Sequence, residues 1–305
     1  MTRFWLAALM CALSLTAARA SAGAERVVGV GAAVTEIIYA LGAGDRLVGV
    51  DTQSIYPPEA RMLPQVGYVR QLSIEGLASL APDLVIAAAD VGPPQVVDRL
   101  RQMGVRLAIA EPAETIEAAV ERIRAVGLAL GLDARGEALA RDVGERAERA
   151  RQRFAQAGGP LRPRVALFLG RGAGSPSGAG AATVGDAMIR LAGGDNALAE
   201  MEGFKPVPAE SLIAAAPDVV VVTQQMVEQA GSLEALARGL PGLAQTPAAA
   251  AGRIVVMDIL ELFSFGPRLP EAVERLGAAI HPTAPAVVSS GTSAHARAGA
   301  GAQTR

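Results

Sequence analysis

Tyr68 and Arg70 stand two residues apart in the stretch Gly67-Tyr68-Val69-Arg70-Gln71-Leu72-Ser73, and as a pair they could do metal chemistry. A phenolate is a hard anionic oxygen donor suited to ferric iron, and tyrosine is one of the axial ligand types of haem iron. Its free pKa is about 10, so ligation needs a metal or a nearby cation to favour the ionised form. In an extended loop, side chains two apart share a face, which sets the Arg70 guanidinium beside the Tyr68 phenol. Taken alone, a loop tyrosine is more often a packing or surface residue. Its surroundings decide.

Other constellations support less chemistry. Gly29-Val30-Gly31-Ala32-Ala33-Val34, with Asp51 about 20 residues beyond, is a partial dinucleotide fingerprint. Close packing of helix on strand needs glycine or alanine in the third place, and Val34 occupies it. The motif reads first as a glycine-bearing strand-to-helix turn, and second as the site of an exported dinucleotide-dependent oxidoreductase. The only histidines, His281 and His295, fall near the end of the chain. They cannot supply a Ser-His-Asp triad or a multi-histidine zinc site around a cleft. In Gly174-Ser175-Pro176-Ser177-Gly178 a proline holds the nucleophile position of a serine hydrolase elbow. Aromatics are 3% of the chain, too few for a sugar cleft of stacked rings.

These residues need a scaffold, and composition bounds it. The chain has 305 residues, 51% hydrophobic and 19% charged, with a formal net charge of −2. That length suffices for two lobes, each burying its own core. A near-neutral balance, with an isoelectric point of 5.8, excludes a basic nucleic-acid binder or a polybasic membrane-surface protein. Residues 4–18 form an apolar run between Arg3 and the small-residue stretch 18–24, the pattern of a secretory signal peptide. The run is short for a transmembrane helix. Cleavage is expected after Ala24, with Ala20 as the other candidate. Cys11 and Trp5 leave with the signal, so a disulfide framework and a thiolate-bound metal are excluded. Arg3 and Arg19 leave as well, taking the net charge to −4.

Short β-branched runs alternate with helical patterns: strands at 27–30, 47–50, 84–88 and 105–109, helices at 34–41, 73–80 and 95–103. Such alternation implies a mostly parallel sheet covered on both faces. Residues 115–157 are rich in Ala, Glu and Arg, lack proline, and break only near Gly131-Leu132-Asp133, which predicts two helices. The α/β pattern resumes at Arg164 with an internal repeat. Glu75, a short helix, Ala81-Pro82-Asp83 and a strand are echoed by Glu210, a short helix, Ala216-Pro217-Asp218 and a strand. The segment from Glu36 to Asp45 is likewise echoed from Asp186 to Asp195. Two related lobes joined by a helix account for this, with a ligand crevice where the strand carboxyl ends converge. The Ala/Gly/Ser/Thr-rich residues 283–305 read as a disordered tail.

Tyr56-Pro57-Pro58-Glu59-Ala60, the Gly67-Tyr68-Val69-Arg70 stretch, Leu191-Ala192-Gly193-Gly194 and Gly266-Pro267-Arg268-Leu269-Pro270 together resemble the periplasmic haem-binding proteins of ABC-type haem importers, over residues 26–282. The Ala-Pro-Asp framework is shared with vitamin B12 and siderophore binders and specifies fold only; the Tyr68 stretch is the more specific signal. The resemblance implies a class III periplasmic binding protein, α/β, with two Rossmann-like lobes of mostly parallel sheets joined by a long connector helix. The expected division is a signal peptide at 1–24, lobes at 25–133 and 159–282, a connector helix at 134–158 and a tail at 283–305.

By the same resemblance, the protein is a periplasmic carrier rather than an enzyme. It captures haem between its lobes and delivers it to an inner-membrane ABC permease dimer with its cytoplasmic ATPase. Tyr68 is then the iron ligand. Relatives that add a histidine place it after a strand like 165–169, where this chain reads Gly170-Arg171-Gly172. Arg70, Arg171 and Arg268 are candidates for the haem propionates, since guanidinium engages carboxylate bidentately. Glu75 and Glu210, one per lobe, match the family's docking glutamates for permease arginines. Each also sits in a first helical turn, where the helix dipole favours an acid by about 0.3–1 kcal/mol. A ferric siderophore or corrinoid carrier on the same scaffold is the alternative.

Overall fold

The computed structural model describes residues 26–157, 162–170 and 176–281. The expected signal peptide and tail lie outside these described residues. Four strands, β1 (Val27–Val30), β2 (Leu47–Val50), β5 (Leu84–Ala88) and β6 (Arg106–Ala110), form an all-parallel sheet in the order β2-β1-β5-β6. Between β2 and β5 lies a small hairpin, β3 (Gly67–Tyr68) and β4 (Gln71–Leu72). The expected strand at 105–109 starts one residue later, because the Val105 N–H closes onto the Leu100 carbonyl at the end of helix Pro94–Gln102. The helix expected at 34–41 is Ala32–Ala40, its first turn closed by the Thr35 N–H on the Gly31 carbonyl.

The second sheet contains β7 (Arg164–Leu169), β8 (Ser177–Ala179), β9 (Asp195–Asn196), β10 (Phe204–Pro206), β11 (Val219–Thr223) and β12 (Ile254–Met257). Its order is β10-β8-β7-β11-β12, with β9 also on β7. The β7–β9, β7–β11 and β11–β12 pairings are parallel, whereas the β7–β8 and β8–β10 pairings are antiparallel. Period-two alternation splits each central strand between two cores. Val219 and Val221 face one core of the second sheet, Val220 and Val222 the other. In β5, Leu84 and Ile86 oppose Val85 and Ala87 in the same way.

The 115–157 region forms the two helices expected there, Ile116–Ala129 and Asp133–Ala157. The longer one buries Gly136, Ala140, Val143, Ala147, Ala150 and Phe154, a stripe with alternating spacings of four and three. Ala140 and Val143 join a core of the first sheet, Ala147 and Ala150 a core of the second. The two helices cross tightly at Gly127 and Gly136: a Cβ on Gly127 would stand 2.8 Å from the Gly136 Cα. Two glycines inside helices are costly by propensity, and here close approach explains them.

The internal repeat reappears as hydrogen bonding. Arg26 precedes β1, and Arg164 opens β7. The Arg26 N–H donates to Asp83 at 3.0 Å, the Arg164 N–H to Asp218 at 2.8 Å. Their guanidinium groups donate to the carbonyls of Leu80 and Ala215, at the ends of helices Ile74–Ser79 and Ala209–Ala215. Ala81 and Ala216 adopt the same left-handed turn, with φ of 42° and 41°.

Candidate functional site

The carboxyl ends of strands from both sheets meet at a cleft of about 380 Å³. On one side it is lined by Gly31 after β1, Val69, Ala88 at the end of β5 and Ala110 at the end of β6. On the other stand Leu169 at the end of β7, Val184, Phe204 and Phe263. The two phenylalanine rings meet edge to face, 5.8 Å apart. This is the crevice between sheets in which α/β proteins bind ligands, and its walls are largely apolar.

Three charged side chains tie the two sides together. Helix Ala32–Ala40 carries one charge, Glu36, and buries it. Arg268, just before helix Leu269–Ile280, grips both Glu36 carboxylate oxygens, at 2.7 and 3.0 Å. Its guanidinium also lies over the Tyr56 ring, 3.7 Å from the centroid, a cation–π contact. Burial pushes the Glu36 carboxyl up, and the Arg268 hydrogen bonds and charge oppose that shift without cancelling it. Arg122, on helix Ile116–Ala129, donates from Nη2 to the backbone carbonyls of Ser264 and Phe265. Burial pulls Arg122 down to about 10, still protonated at neutral pH.

The sequence expectations meet this geometry unevenly. Tyr68 is 38% exposed and pairs with Gln71 in the hairpin; its neighbour Val69 lines the cleft, while Tyr68 is beside the wall rather than in it. The hairpin is anchored by Gly92, which donates to the Val69 carbonyl and accepts from the Leu72 N–H. Arg70 is exposed and ion-paired to the cleft-lining Asp90 at 2.8 Å; that hydrogen bond and charge raise its pKa. Arg171 lies outside the described residues. Arg268 is taken up by Glu36 and Tyr56, so its geometry is that of a tie between lobes more than of a free propionate ligand.

Glu75 and Glu210 are both exposed near the starts of their helices, and Ser73 donates to Glu75 at 3.2 Å. The dinucleotide-like turn is internally satisfied. Asp51 accepts from the Gly31 N–H at 2.8 Å and from Ser54 and Gln53. Gly31 sits at φ 106°, where a Cβ would come within 2.9 Å of the Ala88 Cβ. The carboxylate that would face a ribose braces the turn instead. His281 is buried against Phe154 and does not line the cleft; burial lowers its pKa. No group of three or more His, Cys, Asp or Glu among the described residues could hold a metal ion.

Glu36, Asp90 and Arg122 were not among the expected site residues. A sequence signal existed for Arg122. It lies three residues after buried Ala119 and four before buried Val126, a charge on the apolar stripe of its helix. Glu36 likewise is an acid inside an otherwise uncharged helix, but its partner is 232 residues away.

Comparison with known proteins fits this architecture. A family model described as periplasmic binding protein matches residues 27–259. The structure resembles that of the periplasmic heme-binding protein RhuT from Roseiflexus sp. RS-1, at 41% identity and a TM-score of 0.80, covering 86% of this chain and all of that one. It also resembles the periplasmic heme-binding protein BhuT in complex with two hemes, at 39% identity and a TM-score of 0.79, over 84% of this chain and 98% of that one. A vitamin B12-binding protein of Vibrio cholerae is 29% identical over 213 residues, 67% of this chain and 72% of its own.

The tie between Glu36 and Arg268 predicts a specific response. Arg268→Ala strands a buried carboxylate and should lower unfolding free energy by about 3–5 kcal/mol at neutral pH, measured by denaturant titration. In that variant burial acts on Glu36 with its chief opponent gone, so the folded-state pKa rises further above the ordinary 4.5. The folded state then binds the extra proton, and stability should increase as pH is lowered toward that value. An unfolding free energy equal to that of the wild type at neutral pH would contradict the tie.

Proposed function

The chain belongs to the periplasmic binding protein family, and on that premise we propose that it captures haem between its two lobes and carries it through the periplasm to an inner-membrane ABC importer. The observation that carries this reading is the exposed Tyr68 phenol on an anchored hairpin, with Arg70 beside it, next to an apolar cleft. The apolar walls suit the faces and edges of a porphyrin. A phenolate suits its ferric iron. Likeness to heme-binding structures at 41% and 39% identity supports the same reading. The cargo is carried unchanged, so the protein in this account performs no catalysis. A second reading, a corrinoid carrier, is favoured by the vitamin B12-binding relative.

Docking follows from the repeat. Glu75 and Glu210 stand on helices whose ends are pinned alike by Arg26 and Arg164, giving two matched acidic points. They suit arginines on the two halves of a permease dimer. Exposed pairs of this kind contribute little singly, but two of them fix orientation and speed encounter.

Two experiments test these assignments. Haemin added to the wild-type protein should give a high-spin ferric absorption spectrum with tyrosinate charge-transfer bands. Tyr68→Phe, which keeps the ring and removes the oxygen, should abolish those bands; a spectrum identical to wild type would remove Tyr68 from the iron. For docking, Glu75→Arg with Glu210→Arg should leave haemin affinity unchanged while abolishing uptake in vesicles reconstituted with the transporter. Normal uptake would reduce both glutamates to helix-start residues.

A further inference from the structure

Two polar atoms of residues that line the cleft lack any hydrogen-bond partner within the protein: Arg122 Nε and Ser264 Oγ. Both are buried, and both belong to cleft-lining residues. They come from opposite sides of the seam and are already neighbours, because Arg122 donates from Nη2 to the Ser264 carbonyl. Leaving such atoms unpaired is costly, about 1–3 kcal/mol for each neutral group and more for a charged one. The other atoms in this condition among the described residues, on Thr223, Gln225 and His281, belong to residues that do not line the cleft.

Charge sharpens the case. Arg122 forms no salt bridge among the described residues, since both oxygens of the nearby Glu36 are held by Arg268. A desolvated guanidinium that feels the Glu36 charge only at a distance, shared with Arg268, and belongs to a cleft-lining residue favours an anion. Nε–H and a serine hydroxyl are both donors, and a carboxylate accepts from two donors at once.

Building on the haem reading above, we propose that Arg122 Nε and Ser264 Oγ form a seat for one carboxylate of the bound ligand, on the wall of the cleft where the two lobes meet. The ligand class is a porphyrin bearing free carboxylates. A neutral amide side chain, as on a corrin, would satisfy the hydrogen bonds but add no charge to balance the guanidinium. Arg122 thereby acts on both lobes and on the ligand, through Nη2 to the backbone and through Nε to the acid.

Ser264→Ala separates this role from a structural one. If the hydroxyl serves no ligand, removing an unpaired buried group leaves affinity unchanged and is neutral or stabilising. The test is absorption titration with haemin and with haemin dimethyl ester, whose carboxylates are masked, on the wild type, Ser264→Ala and Arg122→Lys. Ser264→Ala should weaken haemin binding about tenfold, the effect of one hydrogen bond to a charged group, without lowering the thermal midpoint of the unliganded protein. Arg122→Lys should weaken haemin at least as much. In Ser264→Ala, binding of the diester, whose ester carbonyls accept hydrogen bonds but carry no charge, should fall by clearly less than binding of haemin. Wild-type affinity of Ser264→Ala for haemin, or equal losses for haemin and diester in that variant, would overturn the seat and leave the haem reading standing. Failure of the wild type to bind haemin would overturn both.

Discussion

A buried carboxylate joined to a guanidinium 232 residues away is the contact on which the cleft depends. Glu36 rises from the first helix of one lobe, and Arg268 enters from the last helix of the other. The buried Glu36 charge is costly without Arg268, so the pair holds the lobes in place relative to one another. Tyr56 backs the guanidinium on its face, and Arg122 adds a second tie through the carbonyls of Ser264 and Phe265. The helix Asp133–Ala157 supports the same arrangement by adding small side chains to a core of each sheet. The cleft walls are thereby set by packing and charge together.

What the cleft can hold follows from its composition. Phe204, Phe263, Leu169, Val69 and the alanines at the strand ends offer broad apolar surface. Among the described lining residues the polar ones are Gln53, Asp90, Arg122 and Ser264, with Arg122 the cation. A large flat apolar ligand with an acidic edge matches that inventory better than a sugar, a nucleotide or a bare metal ion. Tyr68 adds an oxygen donor at the margin, within reach of solvent, with Arg70 and Asp90 as a paired charge beside it. The resemblance to heme-binding structures and the more distant one to vitamin B12 binders both concern tetrapyrrole-type cargo. The acidic edge distinguishes the two.

Much of the scaffold was legible because it rests on local patterns. Val27-Val28 and Val219-Val220-Val221-Val222 read as buried strands, and the Ala-Pro-Asp repeat announced two related lobes. The hydrogen bonds that give that repeat its meaning were not legible, since Arg26 and Arg164 lie far outside the repeated window. In the site, local motif and long-range partner diverge. Arg268 looked like a propionate ligand from its own neighbourhood, and only the fold brings Glu36 against it. Glu36 and Asp186 occupy matching places in the repeat, yet Asp186 pairs within its own lobe, with Arg190 and Asn196. Arg122 was hidden in a stretch of many charges, where only its place on the buried stripe set it apart.

The central claim is that this cleft takes haem rather than a neutral corrinoid. Competition titration measures it directly, with haemin binding followed by absorption in the presence and absence of excess cyanocobalamin. The account predicts saturable haemin binding that cyanocobalamin does not displace. Displacement of haemin by cyanocobalamin, or binding of cyanocobalamin alone, would contradict it.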